Sequence, residues 1–488
     1  MPLPALRPLA ALAAVLALAV AAPARAQSLL QLYDAAQGYD AAFQSARANA
    51  QAAQARADQA RAGLLPQVGL QAGAQHIWLN NNLAGNTTNR SYNQLNASVV
   101  GSQPLFRPAN RIGWDQGKRA AEAALVQLSG TGQDLVVRLS QAYFDVLAAQ
   151  DSLSVVRALK AAVAEQLEAA KRNFEVGNAT VTDSREAQAR FDLATAQEIA
   201  AENDLRVKQL ALDQLVGLVG TRPQPLAQPI VLPQPSPADV NTWVDWAIDQ
   251  HPAVQQARMA LDIARMETAK AKTGHLPTVD LQVSVGQTRY PEGNPAIAAA
   301  PTAQYRSTNA GIGVALNWPL FAGFAVENRV RETLSLEDKA RADLDNAQRT
   351  VAQATRAAFF GVQSGLGQVA ALEAAERSSL TALEANQLGY QVGVRINIDV
   401  LNAQSQLYQT RRDLARARYD VLVGLLRLKQ ASGMLVPADL LPINHMLASD
   451  AAPATPAAAS QVKVPPAATS APAAGNARAA RPSRRDRR

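Results

Sequence analysis

One fifteen-residue pattern occurs twice in this 488-residue chain, and the repetition restricts the folds that the chain can adopt. Residues 174–188 read FEVGNATVTDSREAQ, and residues 390–404 read YQVGVRINIDVLNAQ, 216 positions later. Each copy carries a glycine, an aspartate six residues further on and an Ala-Gln pair, and each lies between two long helical patterns. We interpret each copy as a turn that joins two helices and also has a working role.

The remainder of the chain repeats in the same order. Four residues of the first half recur with the same type 216 positions later: Phe144, Gly177, Asp183 and Gly217. The segments 104–106 and 319–321 both read PLF. An internal duplication explains this order. It predicts a first repeat at 27–220, a proline-rich linker at 221–242 and a second repeat at 243–440.

The segment from about Pro108 to Phe174 has the pattern of one very long helix. Its apolar residues are spaced alternately by four and three positions: Leu135, Leu139, Ala142, Val146, Ala149, Leu153, Val156, Val163, Leu167 and Ala170. Lys160 is the one interruption. A mean period of 3.5 predicts packing against a supercoiling neighbour, and at about 1.5 Å per residue such a helix spans on the order of 100 Å.

Short motifs beyond this helix predict a turn and a second helix. Gly177 is expected to be the C′ glycine of the long helix, and Asp183 with Glu186 resembles a capping pair for the next helix, which returns to about Gly217. The second half predicts the same pair, with the long helix ending near Tyr390. Shorter helices are predicted at the start of each half: about 30–63 and 247–272.

Four segments alternate apolar and polar residues, which is the period of a strand with one apolar and one polar face. We expect about ten residues in each strand, which matches the roughly 9 to 11 that cross a bilayer at a tilt. The first two are expected to be joined by a long loop with Asn80–Asn82, Gly85 and Asn86. Four strands alone would leave two edges unpaired in lipid, so closure with other chains is required. Two chains would give eight strands and three would give twelve, and the pattern does not choose between them.

The two ends of the chain differ in composition from the middle. Residues 1–26 combine Arg7, an apolar run and Ala24-Arg25-Ala26, the layout of a secretory signal peptide. Residues 441–488 form a basic tail rich in alanine and proline, which is expected to be disordered.

Net charge and cysteine content exclude several classes of function. The net charge of +7 comes from the leader (+2) and from residues 451–488 (+6), so the body at 27–450 carries −1. A basic groove for nucleic acid is therefore not supported. The chain has no cysteine, so disulfides, thiol catalysis and lipid attachment to an N-terminal cysteine are excluded.

The repeated order, the PLF segments and the paired motifs at 174–188 and 390–404 resemble the TolC family of outer-membrane export ducts. The resemblance covers nearly all of 28–440. It implies a mainly α fold with membrane β: a homotrimer whose four strands per chain form a 12-stranded β-barrel in outer-membrane lipid, continued by a coiled-coil α-helical barrel across the periplasm. It also implies a passive duct that opens when a periplasmic adaptor protein and an inner-membrane ABC or proton-driven transporter dock. No cofactor or metal is implied.

The gate residues of the family transfer to the helix tips by position. The resemblance implies closing contacts of Tyr390 with Asp183 and of Arg395 with Thr182. An ordinary structural interpretation stays open for each, since Tyr390 could be an aromatic residue at a helix end, as Phe174 is in the first half.

The family's two acidic rings fall on Asp399 and position 402, which is Asn402 in this chain. Three copies would therefore gather one ring of three carboxylates, and like charges on a symmetry axis raise one another's pKa or attract a cation. Asp399 could also be a solvated turn charge. Gly177 and Gly393 are structural tip-turn glycines under either interpretation.

Two other classes of function are weighed against the duct. An enzyme is disfavoured because the four histidines fall in no recognisable catalytic or metal-binding motif. A secreted coiled-coil scaffold or adhesin without a pore is the main alternative, and the four alternating segments favour the duct because a scaffold has no reason to expose an apolar strand face. The sequence does not decide whether the duct serves type I protein secretion or small-molecule efflux.

Overall fold

The computed structural model describes residues 26–83, 86–177, 180–293 and 302–448, so residues 1–25 of the expected signal peptide and residues 449–488 of the expected tail lie outside the described residues. The described elements are, in chain order: α1 (Leu29–Tyr39), α2 (Ala41–Arg61), β1 (Gln67–Leu83), β2 (Asn86–Phe106), α3 (Pro108–Glu175), α4 (Val181–Val216), α5 (Val240–Gln250), α6 (Pro252–Lys272), β3 (Thr278–Tyr290), β4 (Tyr305–Asn317), α7 (Ala325–Gln391), α8 (Asn397–Ala431) and α9 (Leu440–His445). The order of elements from α1 to α4 recurs from α5 to α8.

The prediction of a single helix at about 30–63 is wrong, because the helix is interrupted at Asp40. The Asp40 carboxylate accepts a hydrogen bond from Phe43 N at 2.7 Å and so caps α2. It also accepts from Arg138 of α3 at 3.0 Å. Burial raises the pKa of Asp40, but the bonds from Arg138 and Phe43 N lower it by more, and the net shift is downward. A capping carboxylate tied to a second helix thus fixes the bend.

The helix expected at 247–272 also consists of two helices, and the break lies at His251. Its Nδ1 accepts from Ala253 N at 3.1 Å, and Pro252 occupies the first turn of α6. Gly433, at the end of α8, has φ 74°, and a Cβ there would lie 2.6 Å from His251 Cα. The close approach of the two backbones therefore requires glycine at 433.

The four strands form one antiparallel sheet in the order β1-β2-β3-β4. β1 and β2 have 17 and 21 residues, longer than expected. The long loop predicted around Asn80–Asn82 is wrong, because that segment continues the ladder to Leu83↔Asn86. β3 has only 13 residues, and its outermost pair with β2 is Leu95↔Arg289. The β1–β2 hairpin therefore projects past the rest of the sheet.

The register aligns the apolar residues of all four strands on one face. One row of directly opposed residues is Leu70, Val99, Val285 and Ala310. The neighbouring row is Val68, Gly101, Val283 and Ile312. Leu70 is 76% exposed and Ile312 is 77% exposed. The opposite face carries mostly polar and small residues, with Ile77, Val100 and Tyr290 among the exceptions. The chain thus presents an uncovered apolar sheet surface.

The largest buried cluster lies where α1, α3, α8 and α9 meet. Its largest fully buried side chains include Leu29, Leu135, Tyr143 and Leu422. Phe144 is 2% exposed in this cluster, whereas Phe360, its counterpart in the second half, is 53% exposed. The two halves therefore share an order of elements but not an equivalent environment.

The ordered body extends past 440, where the tail was expected to begin. Leu440 and Ile443 of α9 are buried, and Leu447 pairs with Leu226 in an isolated antiparallel bridge. The disorder expected from 441 onwards is therefore wrong for residues 441–447, which pack on the body, and the rest of the tail lies outside the described residues. The proline-rich linker is also packed, because Leu226 within it is 7% exposed.

In the part of the chain that the structure describes, no helix combines the length and the apolar composition needed to cross a membrane.

Candidate functional site

The two long helices end in turns of the same kind. α3 ends at Glu175, and Gly177 has φ 78°. α7 ends at Gln391, and Gly393 has φ 76°. Both glycines occupy the left-handed region at C′, which residues with a Cβ adopt at a cost. In the second turn the backbone N–H groups of Val394 and Arg395 both donate to Gly389 O, at 2.8 and 3.0 Å.

The helix that follows the first turn begins with a capping box. Asp183 Oδ2 accepts from Thr180 N at 3.0 Å and from Thr180 Oγ1 at 2.8 Å. Thr180 Oγ1 in turn accepts from Asp183 N at 3.2 Å. The predicted pairing of Asp183 with Glu186 as cap is therefore wrong, since Thr180 is the N-cap and Asp183 is its N3 partner.

The second turn has no such box, although the positions correspond. Ile396 is the N-cap of α8 and has no side-chain oxygen, so it offers Asp399 no side-chain partner. Asp399 Oδ2 instead lies 3.5 Å from Arg395 Nη1. The Arg395 side chain is 58% exposed and that of Asp399 is 34% exposed. This is a solvated ion pair at the turn.

Tyr390 is held at the end of α7 by a residue of α3. Its hydroxyl accepts from Asn173 Nδ2 at 3.3 Å, and its ring packs against the cluster of Leu383, Val400 and Leu407. Within the described residues Tyr390 is not hydrogen-bonded to Asp183, and Arg395 is not bonded to Thr182. The structure brings the four expected residues to the same end of the helices without joining them in those pairs.

Asn402 has a partner of its own. Its Oδ1 accepts from Arg190 Nη2 of α4 at 2.8 Å. Close by, the buried Asn397 accepts from Gln166 Nε2 of α3, while its own Nδ2 has no partner among the described residues. Arg190, Asn397 and Gln166 were not singled out from the sequence. The only signal was Asn397 at the start of a helix, which by itself predicts solvent exposure rather than burial.

Packing supports these polar contacts. Leu401 of α8 is fully buried against Val163, Leu167 and Ala170 of α3 and Ala187 of α4. The tip of the second helix pair therefore inserts one side chain between the helices of the first pair.

Further from the tips, Asp151 and Tyr419 join α3 to α8. The Tyr419 hydroxyl donates to Asp151 Oδ2 at 2.6 Å, and the Tyr419 ring stacks on Phe144 with centroids 5.6 Å apart. Burial raises the pKa of Asp151, and the bond from Tyr419 offsets part of that rise. Burial also raises the pKa of Tyr419, and the Asp151 charge adds to the rise. The pair is therefore a buried acid satisfied by a phenol.

Lys160, which interrupts the apolar stripe of α3, pairs with α4. Its Nζ lies 2.8 Å from Glu198, which also accepts from Arg157 at 3.0 Å. The bonds from Lys160 and then Arg157 lower the pKa of Glu198. The second helix pair is bridged in the same way by Arg411 with Glu376, at 2.9 Å. The helices of each pair are thus joined by partly buried ion pairs.

Long paired helices that continue from one end of a sheet with an uncovered apolar face define an outer-membrane export channel. The chain belongs to the outer membrane efflux protein family, whose pattern matches residues 32–218 and again residues 243–434. The two matches cover the two halves separately.

Curated relatives agree with this assignment. The chain is 33% identical over 419 residues to outer membrane protein TolC of Vibrio cholerae, covering 86% of this chain and 93% of that protein. It is 33% identical to TolC of Escherichia coli, covering 87% of this chain and 85% of that protein. It is 31% identical to the alkaline protease secretion protein AprF of Pseudomonas aeruginosa, covering 85% and 86%. The protein is therefore an outer-membrane efflux or secretion channel.

Solved structures share the fold. The outer membrane protein VceC from Vibrio cholerae superposes with a TM-score of 0.71 over 83% of this chain and 96% of that chain, at 18% identity. CusC gives a TM-score of 0.71 over 84% and 92%, also at 18% identity.

Proposed function

We propose that three copies of this chain close into a 12-stranded β-barrel that crosses the outer membrane, continued by an α-helical barrel in the periplasm. The observation that carries the proposal is the sheet. Its apolar face is continuous across four strands, and its outer edges, β1 and β4, have no strand partner among the described residues. In lipid each unpaired backbone group costs several kcal/mol, so β4 of one copy must pair with β1 of the next.

The helices supply a second reason for assembly. α4 exposes a series of large apolar side chains along its length: Leu193, Ile199, Val207 and Leu210, each more than half exposed. These residues belong to the helical part of the chain and not to the sheet that is proposed to face lipid. Contact with a helix of a neighbouring copy removes them from water, and each fully buried side chain contributes about 1.5–3 kcal/mol. Three chains rather than two agree with the resemblance to the TolC family.

The proposed duct is passive and runs through the barrel along the polar face of the sheet. Its energy would come from an inner-membrane ABC or proton-driven transporter, reached through a periplasmic adaptor protein. The relatives include proteins named for protein secretion and for efflux. Both type I protein secretion and small-molecule efflux therefore stand as transport classes for this chain. Apolar strand faces favour this duct over the scaffold alternative.

We place the gate at the helix tips, with Thr182, Asp183, Tyr390 and Arg395 as its latch. Both bonds from Thr180 go to Asp183 Oδ2, so Oδ1 is left as an acceptor. The Tyr390 hydroxyl accepts from Asn173 and keeps its proton to donate. Arg395 is more than half exposed, and at 3.5 Å its contact with Asp399 is a weak one. The donors and acceptors that the latch needs are therefore available.

Asp399 is proposed as the constriction ring, with Asn402 in place of a second acidic ring. Arg190 holds Asn402 at 2.8 Å, which fits a positioning role for that amide. Three Asp399 carboxylates around an axis would form one site that attracts cations.

The chain organisation that follows is a signal peptide at 1–26, a first repeat at 27–220, a linker at 221–242 and a second repeat from 243. The repeated element order and the two separate family matches support the two repeats. The basic tail is left without an assigned role.

The assembly is tested by the mass of the purified protein in detergent and by its migration on gels before and after heating. A mass of three chains and a heat-modifiable band are expected. A monomer that fractionates away from the outer membrane would overturn the proposal.

A further inference from the structure

Two arginines face each other across β3 and β4 near the end of the sheet that is remote from the helices. Arg289 and Arg306 are directly opposed in the register, and both are exposed. Like charges in directly opposed positions of an antiparallel pair destabilise the sheet. An anion bound between them would remove that repulsion.

Among the described residues, no acidic group pairs with these two arginines. Neither guanidinium forms an ion pair with any residue that the structure describes. The Gln304 amide, with its oxygen turned towards Arg289, accepts from Arg289 Nε at 2.9 Å. This neutral acceptor fixes the guanidinium without cancelling its charge. Glu292, the acid nearest in sequence, accepts instead from Asn93 Nδ2 at 2.6 Å.

The arginines lie on the apolar face. Arg289 has the same parity on β3 as Val285 and Val283, and Arg306 has the same parity on β4 as Ile312. Side chains of equal parity share a face. The pair therefore borders the surface that faces lipid in the proposed barrel.

Their height along the barrel matches the outer boundary of the hydrocarbon. Arg289 lies ten positions after Val279, which is at the helix end of the apolar face of β3. At about 3.3 Å per residue and a tilt of about 40°, the height is about 25 Å, which equals the usual apolar band of a membrane barrel. At the opposite end of the sheet, directly after β4, Trp318 is 56% exposed and its indole donates to His275 O at 3.2 Å; exposed tryptophans of this kind are enriched at membrane interfaces.

We propose that Arg289 and Arg306 bind a phosphate group on the headgroup of an outer-leaflet lipid. The guanidinium fork matches phosphate oxygens and binds them in bidentate fashion. The inference rests on the proposed barrel, because that barrel turns this face to lipid and this end to the exterior. Three copies would give three such sites around the rim.

The test measures binding of bis-phosphorylated lipid A to the purified full-length assembly in detergent, by native mass spectrometry. Arg289→Gln with Arg306→Gln is expected to lower the affinity about tenfold or more, since both charged hydrogen-bond donors are lost. Arg90→Gln is the matched control, because Arg90 lies on β2 near the same end but has the parity of the polar face. The control is expected to change the affinity less than about twofold.

Two further probes identify the ligand. Lipid A without phosphates is expected to bind the unaltered protein as weakly as the double variant binds the phosphorylated lipid. Inorganic phosphate at the lipid's concentration is expected not to displace it. Equal binding of the dephosphorylated lipid, displacement by phosphate, or an equal loss in the Arg90 control would overturn the site. Oligomeric mass is measured in the same samples, so an intact trimer without lipid selectivity refutes this inference alone.

Discussion

Asp183 and Asp399 occupy the same position, the third residue of α4 and of α8, but their carboxylates have different partners. Asp183 bonds Thr180 in a capping box, and Asp399 lies beside Arg395 because the residue that corresponds to Thr180 is Ile396. One substitution between the two copies thus decides whether a carboxylate caps its own helix or remains at the tip. This difference separates an acid that caps its own helix from a candidate pore acid.

Thr180→Ala is expected to destabilise the start of α4 by about 1 kcal/mol, because one backbone donor of the first turn loses its acceptor. Hydrogen exchange of the amides at 181–184 measures the effect. Thr195→Ala is the control, since the Thr195 hydroxyl only donates to Phe191 O within the same helix. Faster exchange in both variants, or in neither, would contradict the role of the cap.

Asp399→Ala is expected to weaken block of the channel by multivalent cations added from the periplasmic side by about tenfold or more, since three carboxylates leave the axis together. Single-channel block constants provide the measurement. Asp192→Ala is the matched control, because Asp192 is an exposed acid of α4 whose carboxylate accepts from Gln188 at 2.9 Å. Because Asn402 supplies no second acidic ring, cation block of the unaltered protein is also expected to be weaker than in relatives that carry two acidic rings. An unchanged block constant in Asp399→Ala would remove this residue from the pore.

Asp151 is expected to make the helical body less stable as the pH rises. Because burial raises the pKa of Asp151 in the folded chain, its contribution is fully present below the ordinary carboxyl pKa and is lost as the pH rises through the folded pKa. Asp151→Asn still accepts from Tyr419 and removes the titration. Relative to the unaltered protein, this variant should therefore gain stability between pH 4 and pH 7.

Urea midpoints from circular dichroism at the two pH values measure this gain. Asp420→Asn is the control, because the Asp420 side chain is 62% exposed beside Arg416. A gain of equal size in the control, or no gain for Asp151→Asn, would contradict the effect of burial.

The long helices were predictable because their evidence is local and repeated. The spacing of apolar residues in α3 and the glycine after it determine where the helix ends, and the structure ends it at Glu175. The partner of Lys160, the one polar residue in the apolar stripe, could be identified only from the structure, since Glu198 lies 38 positions away. A sequence pattern shows that such a lysine interrupts an apolar stripe, but not which carboxylate it meets.

The helix breaks at Asp40 and His251 and the full length of the β1–β2 hairpin were not predicted, because the local composition indicates a different structure at these positions. Asp40 and His251 each cap a new helix inside segments whose helix-forming composition hides the bend. Asparagines at 80–82 are typical of loops, but in the structure these residues pair with β2 and extend the ladder to Leu83↔Asn86. At the tips, Asn173 and Arg190 were invisible because each acts on the other half of the chain.

The channel and its gate are tested most directly by the current through single assemblies in planar bilayers. The unaltered protein is expected to conduct with a low open probability, because the proposed latch would join the helix tips. Tyr390→Phe with Arg395→Ser removes two latch donors and is expected to raise the mean conductance several-fold. Tyr92→Phe, a matched loss of one phenol hydroxyl far from the tips, is expected to change nothing. Absence of any pore, even in the double variant, would contradict the channel, and unchanged current in that variant would contradict the gate.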